Sequence, residues 1–100
     1  MSQPARVREA ARYRFEIDKM EEASRSAIQA AEQCDVHRAI GDALYVAEKF
    51  ADVCYEVEDP DVRALWPKDV LEEVLSEATD IYERTYEQVT KLLSRCTCRK

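Results

Sequence analysis

Glycine occurs once in these 100 residues, as Gly41, and proline three times, as Pro4, Pro60 and Pro67. A β-sandwich or barrel needs many tight turns, and glycine and proline make most of them. This chain cannot supply them. A single glycine also excludes the glycine-rich phosphate loops of the Walker and Rossmann kinds. Histidine occurs once, as His37, so no pair of histidines can hold zinc from one helix face. No Glu-x-x-His pair is present, which excludes a di-iron carboxylate bundle. No serine or cysteine stands in a nucleophile motif. No stretch approaches the roughly 20 apolar residues of a membrane-spanning helix. The opening residues, MSQPARVREAARYRFE, hold no apolar run of the kind an export leader carries. The expected compartment is therefore the cytoplasm, where the four cysteines are expected as thiols.

Apolar residues make up 46% of the chain and charged residues 36%. That is enough apolar surface for a core, so composition excludes disorder. The length suits one small domain over residues 1–100. The 15 Lys and Arg stand against 21 Asp and Glu, for a net charge of −6. An acidic chain lacks the clustered positive charge that phosphate neutralisation needs, so direct nucleic-acid binding is not expected. The charge is uneven. Arg6, Arg8, Arg12 and Arg14 oppose only Glu9 near the start, while residues 35–59 set seven acids against Arg38 and Lys49.

Helical periodicity runs almost throughout. A first helix is predicted over Pro4–Gln33, with a heptad seam at Tyr13, Ile17, Met20, Ser24, Ala27, Ala31 and Cys34. Asp35 marks the corner as an N-cap. A second helix runs to about Glu58, with its seam at Val36, Ile40, Ala43, Ala47, Phe50, Cys54 and Val57. Its apolar arc spans roughly 180°, more than one neighbour can cover, so it is read as the middle helix. Asp59 and Pro60 start a short connector through Trp66, and Pro67 restarts the chain. A third long helix is predicted from Lys68 to Arg95, seamed by Leu75, Ala78, Tyr82, Thr85, Val89, Leu92 and Cys96. The expected architecture is all-α: an up-down-up three-helix bundle with a short connector helix between the second and third long helices. The first and third long helices outrun the second, so their ends are expected to protrude, and protruding amphipathic ends suggest a homodimer.

No catalytic constellation emerges, and an enzyme is not expected. Two other readings compete. In the first, the chain is a non-catalytic protein–protein interaction module, a small acidic regulator or inhibitor. Its contacts would be Phe15, Tyr45, Tyr55 and Trp66, because aromatic residues are enriched at interfaces. The stripe Glu73, Glu77, Asp80 and Glu87 would steer a basic partner, such as a nucleic-acid-binding protein whose groove it occupies. For Trp66 the alternative is a plug at the open end of the bundle, together with Leu65. In the second reading, Cys34, His37, Cys96 and Cys98 meet at one pole, as zinc ligands or as a redox pair. The corner and the end of the third long helix share a pole in an up-down-up bundle. Small core residues at seam positions are the simpler account of Cys34 and Cys96.

Overall fold

The computed structural model describes residues 5–97, with the side chains of Arg14 and of 16–96. Four helices follow in order: α1 (Ala5–Glu32), α2 (Val36–Glu58), α3 (Pro60–Leu65) and α4 (Lys68–Thr97). The corner after α1 is built from its own backbone. Cys34 N–H donates to Ala31 O and Asp35 N–H to Ala30 O, the paired bonds of a Schellman ending. That ending needs a left-handed residue, and here Cys34 takes it at φ 59°. Asp35 then caps α2 by accepting from Arg38 N–H. At the other pole Asp59 ends α2 in extended geometry and caps α3 by accepting from Asp61 N–H at 2.8 Å, with Pro60 in the first turn. Trp66 is extended because Pro67 follows it.

The long helices form the expected up-down-up bundle. Between α1 and α2 the partners run oppositely: Ser26 meets Asp42, and Glu16 meets Lys49. Between α1 and α4 they run in parallel. Arg14 bonds Glu77 and Glu21 bonds Arg84, both across 63 residues. The core has two parts. Ile17, Met20, Val46, Val53, Ile81 and the Trp66 indole fill one. Ala27, Ala30, Ala31, Ala39 and Val89 fill the other, near the corner. Burying a large apolar side chain contributes about 1.5–3 kcal/mol and an alanine far less, so the corner pole is the thinner half.

One expectation is corrected. The α2 seam is displaced: its buried residues are Ala39, Val46, Val53 and Val57, while Val36 and Ile40 are exposed. Contact with both α1 and α4 pulls the buried ridge to a line between them, off the most regular heptad. At the corner pole, Cys96 in the last turn of α4 is bonded to Cys34.

Ser24 and Thr85 are the two fully buried polar side chains among the described residues, and they bond each other across the α1–α4 seam. Thr85 Oγ1 donates to Ile81 O at 2.6 Å, so the Ser24 hydroxyl donates to Thr85. Thr85→Val keeps the volume but strands that donor. The expected cost is about 1–3 kcal/mol in urea unfolding. Adding Ser24→Ala should recover part of it, and strictly additive losses would show that the hydroxyls do not couple. Gly41 sits inside α2 with nothing within 4 Å of an added Cβ. Gly41→Ala should therefore stabilise the fold by about 0.5–1 kcal/mol; a lower melting temperature would contradict the open space seen there.

Candidate functional site

In a three-helix bundle, α2 and α4 receive α1 on one face of their pair and leave the other face free. Here that free face is an apolar groove of about 570 Å³, lined by Ile40, Ala43, Leu44, Tyr86, Val89 and Leu93 among others. The exposed large hydrophobic residues are Val36, Ile40, Leu44, Tyr55, Leu65 and Tyr86, and half of them lie on this groove. Ile40, Leu44 and Tyr86 line the groove, and Val36 lies one turn before Ile40. Leu44 is 60% exposed and Tyr86 64%. Single exposed apolar residues are ordinary, but a contiguous strip is the mark of a contact surface. Tyr82 forms part of the groove wall and stacks on Phe50, with ring centres 4.6 Å apart, so that wall is stiff.

The groove is edged by acids. At about 100° per residue, Glu48 and Asp52 lie about 40° and 80° round α2 from Leu44. Glu83 and Glu87 lie about 60° and 100° round α4 from Tyr86. All four are exposed. Most cations of these helices are turned elsewhere. Lys49 reaches Glu16 on α1 at 3.1 Å, and Arg84 reaches Glu21 at 2.9 Å. Arg38 donates to Ser26 of α1. Arg95 lies about 180° round α4 from Tyr86, and Lys91 lies about 140° round, one turn after Glu87 and about 40° from it.

The residues singled out from sequence scatter. Trp66 is only 6% exposed and packs in the core, so it is a plug and not a presented anchor; the Pro67 restart folds it inward. Leu65 beside it is exposed and plugs nothing. Tyr45 lies on the α1 side of α2, with Lys49 Nζ 5.6 Å from its ring centre. Tyr55 is 83% exposed, on the same outer ridge of α2 as Leu44. Glu77 is drawn to Arg14, and that hydrogen bond holds the guanidinium more firmly protonated. Glu73, Asp80 and Glu87 are exposed, but only Glu87 borders the groove. The Phe15 side chain lies outside the described residues. Sequence reasoning missed Leu44, Tyr86, Glu48, Asp52 and Glu83. The signal available was the surplus apolar arc of the second helix, which was assigned entirely to neighbours within the chain.

The cysteine pole forms, but with different chemistry. Cys34 and Cys96 are joined in a disulfide, their Cα atoms 5.7 Å apart. They are not the thiols expected of them, and neither bonded sulfur is a thiolate that zinc could use. His37 is exposed on the first turn of α2, no cluster of three metal-binding side chains occurs among the described residues, and Cys98 lies outside those residues. Cys54 is a free thiol, pushed up in pKa by burial first and by Glu58 second, which makes it a poor nucleophile. No helix of the described residues is long and apolar enough to cross a membrane.

No family model, curated protein or solved structure matches the chain.

The disulfide closes a loop across 62 residues, and cross-linking a loop of that size should stabilise by about 2–4 kcal/mol. Reduction should lower the unfolding free energy from urea melts by that much, with the Cys34–Cys96 linked peptide found only in the non-reducing digest. The left-handed geometry at Cys34 costs about 1–2 kcal/mol for a residue with a Cβ. In reduced protein, Cys34→Gly should therefore be more stable than Cys34→Ser. A midpoint indifferent to reductant would show that the bond contributes nothing.

Proposed function

We propose that this chain is a non-catalytic protein–protein interaction module, a small acidic regulator or inhibitor that binds another protein through the open face of α2 and α4. The observation that carries this reading is the apolar groove whose walls include the exposed Leu44 and Tyr86. A homodimer through this face would oppose the acidic rim of one copy to that of the other, so a different protein is the favoured occupant. The acidic rim also disfavours nucleic acid and anionic membrane surfaces.

A second reading is favoured by the Cys34–Cys96 bond. We place the protein in the cytoplasm, where thiols are kept reduced. There the bond would form only on oxidation, and the bundle would be redox-responsive. Zinc would require Cys34 and Cys96 in their reduced form.

A photo-crosslinking amino acid placed at Leu44 or Tyr86 in cells should give one discrete adduct, identifiable by mass spectrometry. The same group at Ala64, exposed on α3, should give none. Adducts from Ala64 alone, or equal yields from all three positions, would overturn the groove as the contact surface.

A further inference from the structure

We propose that the α2–α4 groove is a receptor for a basic amphipathic helix of another protein, seated as the fourth helix of the bundle. This rests on the interaction reading above and names the chemistry of the partner. Three observations support it. The first is shape. The groove lies between two antiparallel helices, and α1 already fills the equivalent position on the opposite face. From Tyr82 to Ser94 its α4 wall extends about 18 Å at 1.5 Å per residue, which is three turns or a little more of a helical ligand. Such a ligand offers apolar side chains at i, i+4, i+7 and i+11.

The second is chemistry of the floor. Ile40, Ala43, Leu44, Val89 and Leu93 offer no charge, and the threonine hydroxyls at its α4 edge are already engaged: Thr85 donates to Ile81 O and Thr90 to Tyr86 O. A strand would need backbone partners along the groove. A helix brings its own backbone bonds satisfied, so only an apolar stripe is desolvated.

The third is charge. Glu48 and Asp52 on one rim, and Glu83 and Glu87 on the other, stand exposed; Lys49 and Arg84 reach α1, and Lys91, one turn after Glu87, leaves the rims net acidic. Lys and Arg flanking the ligand's apolar stripe would reach both rims. The same rims oppose a second copy of this chain.

The test uses the full-length oxidised protein and three synthetic peptides of equal length. One carries Leu at i, i+4, i+7 and i+11 with Lys elsewhere; the second replaces every Lys with Glu; the third is a scrambled Lys peptide without an apolar face. Fluorescence anisotropy at several salt concentrations gives the affinities, and circular dichroism reports peptide helicity. The Lys amphipathic peptide should bind at least about tenfold more tightly than either control, gaining helix as it binds. Leu44→Gln together with Tyr86→Gln should abolish that binding while leaving the melting temperature within a few degrees. Neutralising the rim with Glu48→Gln, Asp52→Asn, Glu83→Gln and Glu87→Gln should remove the preference for Lys. If the Lys and Glu peptides bind equally and both are lost in the Leu44/Tyr86 variant, the basic partner is overturned and the groove reading stands. If the scrambled Lys peptide binds as well as the amphipathic one, or the Leu44/Tyr86 variant binds unchanged, the groove itself is overturned. If sedimentation velocity gives a stable dimer that the Leu44/Tyr86 variant dissolves, a second copy is the occupant and the proposal fails.

Discussion

The close meeting of α1 and α4 along small side chains places most of the rest of this bundle. Ser24, Ala27 and Ala31 leave room for α4 to approach, and the Ser24–Thr85 bond fixes its height. From that register the remaining contacts follow in step. Arg14 finds Glu77, Glu21 finds Arg84 seven residues later on both helices, and Cys96 arrives beside the corner that holds Cys34. A one-residue slip would break the hydroxyl pair, undo both charge pairs and separate the two sulfurs. The exposed ion pairs contribute little individually, but they agree with the buried contact, and agreement between levels is what selects one arrangement.

The two poles solve the same problem differently. At the α3 pole, a proline on either side of the connector turns Trp66 inward, and one large aromatic closes the end of the core. At the corner pole the core is alanine, which allows close approach but little burial. A cross-link stands where a larger side chain would otherwise be wanted. This also explains a cysteine at the left-handed C′ position, where glycine is the usual choice. The bond requires a Cβ there, and its chain-entropy gain of a few kcal/mol outweighs the local strain of about 1–2 kcal/mol.

The architecture was legible from sequence because each helix announces itself by period and cap. The seams of α1 and α4 were largely right, since Ile17, Met20, Ser24 and Ala27, and Ala78, Thr85 and Val89, are buried as their spacing implies. The α2 seam was misplaced because periodicity reports the direction in which apolar residues point, and not what meets them there. Val36, Ile40 and Leu44 belong to a regular pattern that no other part of the described chain covers. Trp66 was ambiguous for a related reason: burial and presentation require the same residue type, and only the turn at Pro67 separates them. The meeting of Cys34 with Cys96 was legible from topology, whereas their oxidation was not, because pairing depends on a Cα separation that no spacing along the chain encodes.

The surplus arc on α2 and the net charge of −6 are two sides of one arrangement. α1 draws Lys49, Arg38 and Arg84 toward its own face, through Glu16, Ser26 and Glu21. Those cations are thereby turned toward α1, and Lys91 is left as the one nearby lysine on the far side, beside four exposed carboxylates. The helix pair that is apolar toward the groove is for this reason acidic at its edges. Polar residues at Leu44 and Tyr86 would cost the fold almost nothing, since neither is buried. Their apolar character, set between net-acidic rims, therefore has no account within the isolated chain, and the basic, apolar-striped helix proposed above would satisfy both halves of the surface at once.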